Sequence, residues 1–278
     1  MISDTHMHTG AFSSDAKQTI EELISSAKAK GILVAAITEH YDMDYPHKDE
    51  VFTFDLNEYG NIFPKWRDLS KQMNGPELLM GIEIGWQPHL NDRIKETVRS
   101  LPFDMVVLSD HLFRGTDVYY STEAALLPRA ERNKEYIGSL SRMCREIDDF
   151  DTVAHYDYIN RYIDDPDSAV FYRDCSDEFD DLFSTLIRKD KALEINTSSI
   201  GSQINKKAEY IMPDPDIIRR YIQMGGKLIT IGSDAHTSDK IGQLFDRTAL
   251  YLKSLGVHEL FYYKNRKPVS DPEYASYF

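Results

Sequence analysis

The sequence predicts an α/β fold of parallel βαβ units arranged as a barrel, and two observations lead to it. Short apolar runs alternate with amphipathic stretches along the 278 residues, and almost every run ends in a histidine or a carboxylate. The alternation implies a parallel sheet flanked by helices. In an α/β barrel the carboxyl ends of the strands share one face, so those polar groups would converge there.

The first element is the opening MISDTHMHTG. Alternate residues of an extended strand share a face, so His6 and His8 project together with Asp4 below them, a pincer suited to a metal ion. TIEELISSAKAKG (19–31) follows as a helix, with Ile20, Leu23, Ile24 and Ala27 at helical spacing and Gly31 as its stop. ILVAAIT (32–38) is the second strand and runs into Thr38-Glu39-His40. The region from about 43 to 75, with Pro46, Gly60, Pro64, Gly75 and Pro76 among charged and aromatic residues, reads as a long inserted loop. LLMGIEI (78–84) contains Glu83, DMVVLS (104–109) leads to Asp110-His111, and DTVAH (151–155) ends in His155. ALEIN (192–196) ends in Asn196, and KLITIGS (227–233) leads to Asp234-Ala235-His236. With the opening residues these make about seven strands. No Pro- or Gly-rich linker, low-complexity tract or repeat divides them, so residues 1–278 are expected to form a single domain.

Composition narrows the function. Hydrophobic residues make up 41% and charged residues 28%, ordinary for a globular protein. No apolar run approaches the ~20 residues that span a bilayer, so no membrane partner is expected. The opening lacks the basic segment and apolar run of a secretory signal, which points to a cytoplasmic protein. A net charge of −14 argues against a nucleic-acid partner, because that affinity depends on Lys and Arg displacing counterions. An anionic substrate would instead need a local positive centre, such as bound metal ions. Cys144 and Cys175 form no paired spacing, so a metal here would be held by nitrogen and oxygen. The sequence carries no signature of a particular oligomeric state.

Taken singly, His40 or His111 reads as a structural histidine and Glu83 as a salt-bridge partner. Together they would form a buried cluster that is costly to desolvate unless cations compensate it. His47 and His89 lie beside prolines in polar loops and His258 in the C-terminal segment, off the strand ends, so all three are expected to be non-ligands. Asp15 follows the first strand by a short loop and can swing back to the cluster.

The series Asp4-x-His6-x-His8, Thr38-Glu39-His40, Gly81-x-Glu83-x-Gly85, Ser109-Asp110-His111, His155 and Ser233-Asp234-Ala235-His236 resembles the PHP (polymerase and histidinol phosphatase) superfamily of metal-dependent phosphoesterases, over nearly the whole chain. GIEIGW, AHYDYINR, LEINTS and FYYKNRKP are similar to segments of its monofunctional histidinol-phosphate phosphatases. The resemblance implies a distorted (β/α)7 TIM-like barrel with three divalent metal ions at the strand carboxyl ends. It implies a first metal on His6, His8, Glu83 and Asp234, a second on Glu83, His111 and His155, and a third on Asp15, His40 and His236, with Glu83 bridging two. Such a His and carboxylate set suits zinc, iron or manganese.

The implied activity is hydrolysis of a small phosphomonoester, foremost L-histidinol phosphate in histidine biosynthesis, with Glu83 and Asp234 as catalytic residues and Arg161 at a phosphate-binding position of the family. NTSSIGSQINKK departs from the pattern: no Arg follows Asn-Thr, only Lys206 and Lys207. That departure favours another phosphomonoester or a phosphotyrosyl peptide as substrate. A non-catalytic metal-binding module is the reading from outside the enzymes, and the complete ligand series argues against it. An alcohol carrying an amine and an imidazole needs acidic or aromatic neighbours. Tyr41, Asp42 and Asp44, which follow His40, and Asn196 are the expected contacts.

Overall fold

The computed structural model describes residues 2–47 and 49–275. Six parallel strands lie side by side in chain order: β1 (Val34–Tyr41), β2 (Glu77–Gly85), β3 (Met105–Ser109), β6 (Thr152–Val153), β7 (Ala192–Asn196) and β8 (Ile229–Gly232). Two antiparallel hairpins accompany them, β4 (Leu112–Phe113) with β5 (Thr116–Asp117), and β9 (Phe261–Lys264) with β10 (Lys267–Ser270).

The opening segment, expected as a strand, makes two isolated bridges instead, Asp4 with Ala35 and Met7 with Ala235. It changes partner along its length, so no continuous ladder forms, yet it bonds on both sides. Asp4 N donates to Val34 O, and Asp4 O and Met7 O accept from Ala36 N and Thr38 N. On the other side Thr5 N donates to Ile231 O, His8 N to Ala235 O, and His6 O accepts from Asp234 N. The segment thus joins β1 to β8 and closes the sheet into a seven-membered, distorted barrel.

The first helix, Ile20–Ala29, buries the expected Ile20, Leu23, Ile24 and Ala27, and Thr19 with Glu22 forms a capping box at its start. Gly31, at φ 69°, supplies the left-handed turn beyond its end. Residues 43–75 correct the sequence reading, because a 17-residue helix, Leu56–Gln72, crosses from β1 to β2 there. Asp55 caps it by accepting from Asn57 N and Glu58 N, and Tyr59, Phe63 and Trp66 bury one face. The Tyr59 hydroxyl donates to Ile37 O and Gly81 O, pinning the helix over the two strands. Pro64 lies inside the helix with Gly60 four residues earlier. Aromatic burial outweighs the local preference of Pro and Gly for loops.

Along each strand, side chains alternate between the helical layer and the barrel interior. Ile37, Ile82, Ile84, Val106, Leu108, Leu193, Ile195, Ile229 and Ile231 belong to the large outer core. Ala36, Leu79, Met105, Val107, Ala154 and Ala192 fill the interior together with Tyr263 of the β9–β10 hairpin. That hairpin is tied at the amino ends of the strands by Arg266 Nε to Asp151 Oδ2 (2.5 Å) and Asn265 N to Asp104 Oδ1 (3.0 Å). The interior is therefore apolar at the amino ends, which leaves the carboxyl ends to hold the polar groups. No helix among the described residues is long and apolar enough to cross a membrane.

Asp4 proves to be a staple of the closure and not part of the histidine pincer. Its Oδ1 accepts from Ser233 N (2.9 Å) and its Oδ2 from Gly242 N (3.0 Å), while burial pushes its carboxyl up to about 6 against these bonds. Asp4→Ala leaves the N–H groups of Ser233, Gly242 and His6 without an acceptor and is expected to destabilise the protein by about 2–5 kcal/mol in urea unfolding. A change below about 0.5 kcal/mol, the range of ordinary surface substitutions, would show that the closure does not depend on it.

Candidate metal centre

Every element of the barrel delivers a side chain to one mouth. His6 and His8 come from the closing segment, His40 from β1, Glu83 from β2, His111 from two residues beyond β3, and His155 from two beyond β6. Asp234 and His236 follow β8, and Asp15 swings in from the loop after the closing segment. His155 and Asp234 have positive φ, 21° and 51°, a backbone state that non-glycine residues seldom adopt and that turns both side chains into the mouth. His6, His8 and Glu83 are fully buried, and His155 and Asp234 nearly so.

The facing atoms fall into three groups. In the first, Glu83 Oε2 lies 3.2 Å from His6 Nε2 and 3.6 Å from His8 Nε2, and Asp234 Oδ1 lies 3.3 Å from His8 Nε2 and 3.9 Å from His6 Nε2. In the second, Glu83 Oε1 lies 3.2 Å from His111 Nε2 and 2.9 Å from His155 Nε2. In the third, His40 Nε2 lies 3.2 Å from His236 Nε2, and Asp15 Oδ2 lies 3.6 Å and 3.1 Å from those two atoms. Two ligand atoms each bonded to one tetrahedral zinc at its usual distances stand about 3.4 Å apart, so all three groups have the spacing of metal ligands. His6 Nε2, His8 Nε2 and Glu83 Oε2 are moreover buried without a hydrogen-bond partner, which marks them as donor atoms aimed at a cation.

Electrostatics agree with that reading. Burial alone would raise the Glu83 carboxyl, but His6, His40 and His111 hold it well below the usual carboxylate range. Burial alone would likewise lower His6, yet Glu194, Glu83 and Asp234 carry its imidazole well above the ordinary value. His8 goes the other way, lowered by burial and by the neighbouring His40 and His236. Negative charge at this depth needs positive charge beside it. Protons and divalent cations compete for the same ring nitrogens to supply it.

A second layer of carboxylates orients the rings. Glu194 Oε1 meets His6 Nδ1 at 2.7 Å, and its Oε2 accepts from His155 N at 2.9 Å. Asp42 Oδ1 meets His111 Nδ1 at 2.6 Å. Such outer carboxylates fix the tautomer and tilt of a ligating imidazole. Room for both is made by glycine: a Cβ at Gly85 would lie 1.9 Å from Asp42 Oδ1, and one at Gly232 would lie 2.4 Å from Glu194 Oε1.

The expected substrate contacts fare unevenly. Arg161 lines the cleft, donating to Asp234 Oδ2 (2.6 Å), Asn196 Oδ1 (3.2 Å) and Ser199 Oγ (3.3 Å). Asn196 caps the helix Thr197–Asn205 and donates to Asp234 Oδ2 at 3.3 Å. Asp42 lines the cleft but is engaged with His111. Tyr41 is not brought to the site: next to His40 on an extended strand, it points to the opposite face and packs on Phe54. Asp44 is turned away as well, paired at the surface with Arg93 and His89. His47 packs against Tyr120, and neither it nor His89 or His258 lines the cleft. Lys206 donates to Asn160 O at 2.5 Å and does not reach the place of an arginine in the cleft. Sequence reasoning missed Glu194, although a carboxylate two residues before Asn196 in a buried strand was a legible signal for the inner face. It also missed four residues that line the cleft: Tyr45 and Tyr162 from loops, Asp117 from β5 and Tyr158 from a short 3-10 turn.

The PHP domain family model matches residues 4–198. A Clostridium acetobutylicum chain named "Probable histidinol-phosphatase" is 34% identical over 266 residues, 95% of this chain and 98% of its own length. A Lactococcus lactis chain named "Histidinol-phosphatase" is 27% identical over 276 residues, 96% of this chain and 98% of its own. Among solved structures, the histidinol phosphate phosphatase of Lactococcus lactis complexed with zinc, L-histidinol and phosphate superposes with a TM-score of 0.84 at 25% identity, covering 96% of this chain and 98% of that one. The barrel, its ring of histidines and these similarities agree, and the chain belongs to the PHP domain family.

Proposed function

We propose that this protein is a metal-dependent phosphatase that hydrolyses L-histidinol phosphate to L-histidinol and phosphate. The observation that carries the reading is the placement of Glu83, whose two oxygens face two different groups of imidazoles at 2.9–3.6 Å. The similarity along nearly the whole chain to proteins named for this activity, one of them solved with zinc, L-histidinol and phosphate, supports the substrate.

In this reading His6, His8, Glu83 and Asp234 hold one divalent ion, Glu83, His111 and His155 a second, and Asp15, His40 and His236 a third. Ions so held supply positive charge to phosphate oxygens and lower the pKa of water toward neutrality. Arg161, kept charged by Asp234 beside it, offers its guanidinium to the phosphate as a planar clamp. Burial would raise the Asp234 carboxyl, but Arg161 and His6 hold it ionised. Asp234 is the carboxylate placed to relay a proton from the attacking water to the leaving alkoxide, and because its pKa is depressed it gives that proton up readily. The P–O bond to the alcohol breaks as the bond to water oxygen forms, giving alcohol and inorganic phosphate.

Phosphate release from L-histidinol phosphate, beside p-nitrophenyl phosphate and phosphotyrosine, tests the reading on protein stripped with chelator and reloaded with zinc, manganese or iron. The expected result is metal-dependent release with a preference for L-histidinol phosphate of at least 100-fold in kcat/KM. Metal-dependent release without preference would discard the substrate, and no release with any metal would discard the enzyme. Glu194→Gln, which weakens the hold on His6 and His155, is expected to reduce metal affinity or activity about 10–100-fold. Unchanged metal affinity and turnover would show that Glu194 does not position these rings.

A further inference from the structure

We propose that Asp117 determines substrate specificity by receiving the ammonium group of the substrate, with Tyr45, Tyr158 and Tyr162 as the aromatic wall around it. The inference rests on the histidinol-phosphatase reading and adds to it the feature that tells an amino alcohol phosphate from other esters.

Asp117 stands at the end of the β4–β5 hairpin, on the cleft wall, and is only 5% exposed. Its Oδ1 accepts from Tyr119 N (2.7 Å) and the Tyr158 hydroxyl (3.3 Å), and its Oδ2 from the Tyr45 hydroxyl (2.8 Å). The other carboxylates lining the cleft have cationic or imidazole partners: Asp42 has His111, Asp234 has Arg161, and Asp15 has His236. Asp117 makes no ion pair among the described residues. Phenol and amide donors offset part of the cost of taking a carboxylate out of water, and a cation offsets the rest. A cationic substrate group brings that partner with it.

Tyr158 sets the scale. Its ring packs against His111 and His155 at 5.1 and 5.0 Å, Arg161 lies over its face at 4.9 Å, and its hydroxyl reaches Asp117. One tyrosine side chain therefore separates Arg161 and the positions proposed for the metal ions from an anionic end at Asp117. A small phosphomonoester with a nearby amine meets both ends at once, and in one orientation. Tyr162 packs edge-on against Tyr158 at 5.7 Å and extends the aromatic surface that favours a cation.

The test compares metal-loaded wild type and Asp117→Asn. With L-histidinol phosphate, kcat/KM is expected to fall at least tenfold, mainly through KM, and with p-nitrophenyl phosphate at most threefold. Equal losses on both esters, or no loss on L-histidinol phosphate, would overturn the proposal. Tyr45→Phe, which frees one Asp117 oxygen, is expected to show a smaller loss of the same selectivity and carries the test should Asp117→Asn not fold. Calorimetric binding of L-histidinol needs no turnover, so it separates this proposal from the reading beneath it. Binding that Asp117→Asn weakens tenfold supports the subsite even where phosphate release fails, and binding that the variant leaves unchanged overturns it.

Discussion

At the mouth of the barrel one carboxylate, Glu83, lies wholly out of water with imidazoles on every side: His6, His8 and His40 face one oxygen, His111 and His155 the other. A lone carboxylate at that depth would take up a proton or unfold its surroundings, because the desolvation of a buried charge exceeds what a domain can tolerate. It stays ionised through positive charge gathered around it. The architecture of the site is the means of keeping that charge close.

The requirement reaches into the fold. The imidazoles come from strands that are neighbours in the ring, so the ring must close, and the closing segment supplies two of them while bonding to β1 and β8. The inner faces of the strands are small or apolar near the amino ends and polar near the carboxyl ends, which concentrates titratable groups at one mouth. Glycines at 85 and 232 leave space for the outer carboxylates Asp42 and Glu194 against the imidazoles they steer. The cleft has Arg161 over one face of the Tyr158 ring, next to the proposed metal positions, and the Asp117 carboxylate at that ring's hydroxyl. A phosphate ester that also carries an amine matches that arrangement.

Much of this was legible in the sequence because strand ends and candidate ligands coincide. His6, His8, His40, Glu83, His111, His155, Asp234 and His236 sit at or just past apolar runs, and strand periodicity alone predicts that they converge. Three misreadings have identifiable causes. Residues 56–72 looked like loop because Gly60 and Pro64 punctuate them, whereas the burial of Tyr59, Phe63 and Trp66 decides for helix. Tyr41 follows His40 in the sequence, but adjacent strand residues face opposite ways, so it misses the cleft. Asp4 shares the face pattern of His6 and His8 but is consumed by backbone amides from the β8 loop, a contact 229 residues away in the chain that no local pattern encodes. Asp117 was hidden for the same reason, since a short hairpin after β3 places it on the cleft wall only through tertiary folding.

In the proposed site Glu83 is shared by two of three metal positions and absent from the third. Metal content per chain, measured by elemental analysis after gel filtration, tests it in wild type, Glu83→Gln and Asp15→Asn. The expected result is three divalent ions in the wild type, one in Glu83→Gln, and two in Asp15→Asn, each in a folded protein. Three ions retained in Glu83→Gln, or the same loss in both variants, would contradict it.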